Sequence, residues 1–290
     1  WLLYRLLRSL DETVLGYRQS RVLVALDGAR DESLALLQLF PVLVVVHEPQ
    51  GNPGDNTRTN SNVKFGLASV FDRFPDADKA ILLEEDLIPS PDLLAYFQQL
   101  APILTEDATL LAANAFSHHS YPGTAQDTRR VLRTRVMPQY GWLMTRSVAM
   151  QLMEIWVPVG PGRDWDWWLT LENQRRERHV LVPEVSRVRH CGTGEHVSSW
   201  QQSLYHDDRV YTTTQSDTRL YDVSRLVSRQ YAAWYEKEVK TATALVLRDH
   251  PCSVFPLPLD QVGPFVTFVG VPSLADSYRS FYLLLACLGS

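Results

Sequence analysis

Two short acidic segments contain the residues of this sequence that are best suited to chemistry. In the first, four apolar residues, Ala80 to Leu83, run directly into Glu84, Glu85 and Asp86. Carboxylates crowded at one point repel one another unless a cation lies among them, and oxygen ligands suit Mg²⁺, Mn²⁺ or Ca²⁺. A metal site and an ordinary acidic turn before a helix are both compatible with this segment alone.

The second segment, 163–169, interleaves acids with tryptophans, and its central residues are Trp165, Asp166 and Trp168. Core filling is one interpretation, because tryptophan packs well in a protein interior. A sugar-binding site is favoured, because acids are poor core residues, whereas carboxylates accept protons from sugar hydroxyls beside an aromatic wall. An Asp in apolar surroundings can also have its pKa raised towards that of a useful general base.

The elements around these segments predict an α/β fold with a doubly wound sheet. Apolar strands alternate with helices, with strands expected at 21–26, 42–46, 79–83 and 109–115 and helices at 33–40 and 63–74. The strand before the acids reads as one buried on both faces of a parallel sheet, where the carboxyl ends of strands face the ligand. Asp27 ends another strand, so it could accept a hydrogen bond from a base or ribose, although a simple turn before Gly28 is equally compatible with its position.

The rest of the chain carries further local patterns. We expect strands at 131–134, 136–144, 179–183 and 265–271, a surface loop at 47–62, a helix at 147–156 and a long amphipathic helix at 220–247.

Composition excludes several classes of protein. The 290 residues have a net charge of -5, which argues against nucleic acid as a partner. The three cysteines, Cys191, Cys252 and Cys287, indicate neither a zinc site nor a disulfide framework. No signal peptide or membrane span is recognisable, and the helical spacing of leucines from Leu2 onwards suggests that the sequence begins inside a helix, with any membrane anchor lying upstream.

The order of several short motifs resembles the family of N-acetylglucosaminyltransferase I. These enzymes transfer N-acetylglucosamine to mannose with inversion, and the resemblance is nearer to the members that act on O-linked mannose. The motifs are Tyr4–Leu10, Asp27–Gly28, Leu83–Leu87, Gly141–Leu143, Trp165–Trp168, Pro183–Arg187, Asp249–Cys252 and Val269–Pro272.

The resemblance implies a GT-A fold, a Rossmann-like nucleotide-diphospho-sugar transferase fold with a mixed, mostly parallel sheet. It implies UDP-GlcNAc as donor, Mn²⁺ as the metal, and a mannose-bearing glycoprotein as acceptor, carrying either an O-mannosyl glycan or an N-glycan core. It also implies a Golgi-lumenal enzyme, part of a type II membrane protein. Carried over by position, the roles are general base for Asp166, metal ligand for Asp86, donor binding for Asp27, Glu84, Glu85 and Ser198, and acceptor pocket for Trp142, Trp165 and Trp168.

The sequence departs from the family pattern at several points. The first strand of the family would precede Trp1, so we expect it to be missing here. Asn62 stands where the family has a histidine. Ala115-Phe-Ser-His118 stands where the family has Ala-Trp-Asn-Asp. A family disulfide corresponds to Ala112 and Val180, so both of its cysteines are replaced together.

Two further expectations complete the sequence-based picture. The predicted organisation is a catalytic domain at 1–212, a helix and extended wrap packing on it at 213–272, and a tail at 273–290. The alternative to an enzyme is a catalytically silent, lectin-like domain of the same fold that binds sugars through its tryptophan-rich pocket.

Overall fold

The computed structural model describes residues 1–122, 125–135, 139–158, 164–171, 176–193, 197–215, 218–245 and 263–268. The helices are α1 (Leu2–Thr13), α2 (Asp31–Leu37), α3 (Asn56–Arg73), α4 (Leu93–Glu106), α5 (Arg146–Glu154), α6 (Trp165–Thr170), α7 (Ser199–Gln202) and α8 (Ser228–Thr241). The strands are β1 (Leu23–Asp27), β2 (Leu43–His47), β3 (Lys79–Leu82), β4 (Leu87–Pro89), β5 (Leu110–Asn114), β6 (Val131–Thr134), β7 (Trp142–Thr145), β8 (His179–Pro183), β9 (Val188–His190), β10 (Thr243–Ala244) and β11 (Phe265–Val266).

The α/β class is confirmed, but the expectation of a mostly parallel sheet is wrong for the described strands. The largest sheet has the order β3-β7-β5-β8-β6. Only its β5–β8 pair is parallel, and the other three pairs are antiparallel. Strands β1 and β2 form a separate parallel pair, and β4 pairs with β9 in an antiparallel ribbon. Hydrophobic runs locate strands without revealing the direction of their neighbours.

The strand that leads into the acids is also placed differently from the prediction. β3 lies at the edge of the five-stranded sheet and pairs only with β7, antiparallel, instead of lying between two parallel neighbours. Only one of its four residues, Ala80, is buried. The acids that follow nevertheless lie at the carboxyl end of β3, where the chain leaves the sheet and re-enters pairing at β4.

Two hydrophobic clusters hold the sheet. One brings together α1, α4 and the segment containing Leu220 and Leu226, and the other packs α3, α5 and α6. In β5, Leu110 and Ala113 belong to the first cluster, whereas Leu111 and Ala112 belong to the second. Ala112 is the direct cross-strand partner of Val180, and both are completely buried, so the two positions matched to the family disulfide are neighbours in the structure.

Some helix boundaries differ from those expected. α3 begins at Asn56, inside the predicted loop 47–62, because the Asp55 side chain accepts a hydrogen bond from Thr57 N and caps the helix. The predicted helix 220–247 is shorter, since α8 starts only at Ser228 after a 3₁₀ turn. The strand expected at 265–271 is reduced to Phe265–Val266 in the described part.

A buried ion pair joins the segment after β8 to the start of α4. Arg187 Nε lies 3.1 Å from Asp92 Oδ2, and both side chains are essentially inaccessible to solvent. The Arg187 guanidinium also donates to Val185 O and lies over the ring of Tyr96, whose hydroxyl donates to Asn114 O. These contacts fix the start of α4 relative to β5 and to the residue before β9.

Several predicted features lie outside the described residues. They are Cys252, Cys287, the motifs Asp249–Cys252 and Val269–Pro272, and the tail at 273–290. Among the helices that the structure does describe, none has the length and apolar character required to cross a bilayer.

Candidate active site

The acidic turn, Glu84 to Asp86, is held by a backbone contact from the segment just before β7. Tyr140 N donates to Glu84 Oε1 over 3.0 Å. The positive φ values of Tyr140 and Gly141 shape the separate turn that leads into β7, and a side chain at 141 would crowd Leu83 and Ala115. Burial, reinforced by the neighbouring charge of Asp86, raises the pKa of Glu84 to about 8.

Asp86 is oriented by a histidine that the sequence analysis did not assign to the site. His190 Nε2 lies 3.0 Å from Asp86 Oδ2, and His190 Nδ1 lies 2.7 Å from Gln202 Oε1. Both neighbours of the ring are acceptors, so a protonated imidazole satisfies them together. The largest effect on the pKa of His190 is burial, which lowers it, but the hydrogen bond and charge of Asp86 outweigh burial and raise it overall.

The chain after β9 folds tightly over Asp86. Cys191 donates through both its backbone N and its Sγ to Asp86 O, at 2.9 and 3.0 Å. Gly192 follows, and a Cβ atom there would lie only 2.6 Å from Asp86 Cβ. A glycine is therefore required at 192 for the backbone to approach this carboxylate.

The acidic turn fits a divalent cation bound through one protein carboxylate. Asp86 Oδ1 is buried and has no hydrogen-bond partner, while Oδ2 is held by His190. Across the described ranges, no group of three or more His, Cys, Asp or Glu side chains could hold a metal ion. Small hard cations are commonly bound by one or two carboxylates together with substrate phosphates, so a single free oxygen is a sufficient protein contribution.

The structure brings Asp166 into the same electrostatic environment as the acidic turn. Its negative charge contributes to the raised pKa of Glu84 and of Tyr140. The physical link is the pair Trp142 and Trp165, whose rings stack with centroids 5.6 Å apart, because Trp142 is the cross-strand partner of Leu82 at the end of β3. The two acidic segments, eighty residues apart in sequence, thus face one region of the molecule.

The tryptophans predicted to line an acceptor pocket are core residues. Trp142, Trp165 and Trp168 are 0%, 4% and 6% exposed and belong to the second hydrophobic cluster. Stacking on a sugar requires an open ring face, which these rings do not present, and they pack beneath the helix turn that carries Asp166. Their role in an acceptor pocket stays a prediction. The exposed indole of this segment is Trp167, which is 63% exposed.

Asp166 lies in the first turn of α6, where a carboxylate is favoured by the helix dipole. Its Oδ1 accepts a hydrogen bond from Trp167 N at 2.6 Å. Asn60 of α3 holds the same turn, because its Oδ1 accepts from Trp165 N and its carbonyl accepts from Trp156 Nε1. α3 therefore positions the candidate base through one buried amide.

Asp27, at the end of β1, is bound by neighbours of its own and makes no described hydrogen bond or ion pair with the acidic turn. Arg58 of α3 donates through Nε to Asp27 Oδ2 and through Nη2 to the Asp27 carbonyl. His47 Nδ1 is 3.6 Å from Asp27 Oδ1, and both atoms are buried without a hydrogen-bond partner. The role of Asp27 in donor binding stays a prediction.

Ser198 has a structural function that is visible directly. It is the N-cap of α7, accepting from Gln201 N while Gln201 Oε1 accepts from Ser198 N, which is a reciprocal capping box. The Ser-x-x-Gln spacing was a usable sequence signal for this cap. Residues 194–196, just before this cap, are outside the described ranges, and the role of Ser198 in donor binding stays a prediction.

Comparison with known proteins supports an evolutionary relationship. The alpha-1,3-mannosyl-glycoprotein 2-beta-N-acetylglucosaminyltransferase of Arabidopsis thaliana is 27% identical over 222 residues, an alignment that covers 74% of this chain and 48% of the relative. The chain thus spans about half the length of that relative. The model of the family described as "GNT-I family" matches residues 45–254, well over half of the sequence, and the chain therefore belongs to the GNT-I family.

Proposed function

We propose that this chain is the catalytic part of a β-1,2-N-acetylglucosaminyltransferase with a GT-A fold. It transfers N-acetylglucosamine from UDP-GlcNAc to the 2-hydroxyl of a mannose on a glycoprotein, with inversion at the anomeric carbon. The observation that carries the proposal is the stacking of Trp165 on Trp142, the cross-strand partner of Leu82, because it brings the helix turn of Asp166 to the end of β3 that leads into the acidic turn. Membership of the GNT-I family supports the same reaction class.

In this proposal the acids have separate roles. Asp166 accepts the proton of the mannose hydroxyl as the oxygen attacks the anomeric carbon of the donor. Glu84 and Glu85 bind hydroxyl groups of the nucleotide-sugar. Burial raises the pKa of both glutamates, so in the unliganded chain either can become a hydrogen-bond donor at a higher pH than a glutamate in water.

Asp86 provides the metal contact, through the oxygen that has no other partner. When bound there, a divalent cation such as Mn²⁺ would neutralise the negative charge on the UDP leaving group. His190, itself held by Gln202, orients the other oxygen of this carboxylate. Asp27 remains the proposed contact for uracil, since its Oδ1 has no hydrogen-bond partner.

The acceptor and the compartment belong to the proposal as well. An α-mannosyl peptide and an N-glycan core are the two acceptors to compare, because the motifs resemble the enzymes of O-linked mannose while the Arabidopsis relative is named for an α-1,3-mannosyl glycoprotein. The Golgi lumen is the compartment in which such a reaction is expected.

The decisive experiment measures UDP release from UDP-GlcNAc with Mn²⁺, offering the two acceptors separately. The protein used is a version extended upstream of Trp1. Release that requires one acceptor, with a β-1,2 linkage in the product by NMR, supports the proposal. Absence of release with both acceptors, together with absence of Mn²⁺-dependent UDP binding by calorimetry, refutes it. UDP-independent binding of mannosides with no turnover is the outcome expected of a lectin-like domain.

A further inference from the structure

A cavity of about 440 Å³ lies beside the candidate active site and is not used by the proposed chemistry. It opens between the segment following β5 and the helical segment that begins with α7. Its walls include Tyr121, Trp200, Ser203, Leu204, Asp208 and Arg209. The site is concave and contains two aromatic rings, an acid and an arginine. Such a lining suits a ligand that has both an apolar face and hydroxyl groups.

The aromatic part of the cavity has an open indole. Trp200 is 68% exposed although it belongs to a helix that is otherwise tied to the protein. Its ring meets Tyr205 in an edge-to-face contact with centroids 6.4 Å apart, which supports the indole without stacking on it. An exposed, supported aromatic ring is suited to stacking on the C–H face of a pyranose.

The polar part of the cavity has an arginine with unused hydrogen-bonding capacity. Arg209 is only 7% exposed, and it donates to His118 O and to the hydroxyl of Tyr121. Its remaining terminal nitrogen, Nη1, is buried without a hydrogen-bond partner. Asp208 next to it is an exposed acceptor, so the cavity wall offers a sugar hydroxyl a carboxylate beside the cationic Arg209 side chain.

The cavity is connected to the acidic turn through a single helix. Trp200 and Gln202 both belong to α7, and Gln202 holds His190, which in turn holds Asp86. Gln202 Nε2 also donates to Asp207 Oδ1, next to Asp208 on the cavity wall. The cavity wall and the acidic turn are therefore joined by one short segment, through the contacts of Gln202 with His190 and of His190 with Asp86.

We propose that this cavity is a second carbohydrate subsite, which binds a sugar unit of the acceptor glycan other than the mannose that receives N-acetylglucosamine. The role of the subsite in acceptor selection rests on the proposed function. The binding of a sugar in the cavity can be measured without any transfer. The subsite selects acceptors by glycan size: a mannose with a neighbouring sugar is bound more tightly than an isolated mannose.

The test compares ligand binding by saturation-transfer NMR, using the same upstream-extended protein with Mn²⁺, and UDP is added only when the mannosides are the probes. The probes are a branched mannotriose, methyl α-mannoside, an α-mannosyl peptide and UDP-GlcNAc. The test variant is Trp200→Ala, the conservative variant is Trp200→Phe, and the matched control is Tyr235→Ala, which removes a 56% exposed ring from α8. Loss of one aromatic stacking contact weakens mannotriose binding about three- to tenfold. We expect this loss for Trp200→Ala, retention for Trp200→Phe, and no change for methyl α-mannoside or UDP-GlcNAc.

Each other outcome has a defined meaning. Unchanged mannotriose affinity in Trp200→Ala, or equal weakening in Tyr235→Ala, overturns the subsite. Weakening confined to a mannosyl peptide, with mannotriose unaffected, also overturns it, because the cavity then binds polypeptide. Failure of the wild type to bind UDP-GlcNAc contradicts the proposed function instead, and mannotriose binding still decides the subsite.

Discussion

Gly192 packs directly against the Asp86 carboxylate, leaving no room for a Cβ atom. Such an atom would lie 2.6 Å from Asp86 Cβ and 2.8 Å from Asp86 Cγ, well inside contact distance. The Gly192 backbone therefore fixes one side of the proposed metal ligand, while His190 fixes the other.

Gly192→Ala should displace Asp86 and weaken Mn²⁺-dependent UDP binding by about tenfold or more, a free-energy change of ~1.4 kcal/mol. Calorimetry with and without Mn²⁺ measures the effect. Gly66→Ala in α3 is the matched control, because its new Cβ would meet only Ala25 Cβ at an ordinary 3.4 Å. Equal UDP affinities in the two variants would show that the approach of Gly192 to Asp86 is unimportant for the metal.

Asp86→Ala should abolish the metal dependence of donor binding, so that UDP binds equally weakly with and without Mn²⁺. The reason is that the partner-free oxygen of Asp86 is lost. Asp78→Ala serves as control, since Asp78 is an exposed acid just before β3 whose ion-pair partner is Lys79. A persistent Mn²⁺ response in Asp86→Ala would place the metal on a different residue.

Asp166→Asn should abolish transfer while leaving UDP binding nearly intact, because the amide cannot accept the proton of the acceptor hydroxyl. UDP release and calorimetry measure the two properties separately. Asp164→Asn is the control: Asp164 is exposed and precedes α6 without a side-chain capping bond. Transfer that remains within about tenfold of wild type, ~1.4 kcal/mol of barrier, would show that the base is misassigned.

Asp92→Ala should destabilise the fold by about 3–5 kcal/mol, because it leaves the buried charge of Arg187 without its carboxylate. The double variant Asp92→Leu with Arg187→Met should recover much of this loss, since it removes both charges. Urea unfolding followed by circular dichroism measures the free energies. Equal destabilisation in the single and double variants would mean that packing dominates over charge pairing at this site.

Asp107 should make stability depend on acid pH. Its burial acts to raise the pKa, but hydrogen bonds from Thr109 and Arg133 outweigh burial and lower the pKa to about 2, below its ordinary 3.8. A lowered carboxyl pKa adds stability above pH 4 that is lost as pH falls towards 2, here about 1–2 kcal/mol. The difference in unfolding free energy between wild type and Asp107→Asn should therefore narrow from pH 5 to pH 2. A difference independent of pH would contradict the assignment.

The sequence by itself identified the residues that could take part in chemistry and most of the helices and strands that carry them. The apolar run before Glu84 indicated the strand, and the shared order of motifs indicated the family that the comparison shows. It also matched Ala112 with Val180, which are paired across β5 and β8. These features are local, or they depend on motif order, and both are encoded directly in the chain.

Only the tertiary structure decided which distant residues meet. His190 reaches Asp86, and Gly192 packs on it, because β9 pairs antiparallel with β4, a pairing that hydrophobic periodicity does not specify. The burial of Trp165 and Trp168 was likewise undetermined, because a tryptophan has the same local signature in a core as at a sugar site. Strand pairing and packing bring together residues about a hundred positions apart, and that proximity creates the candidate site.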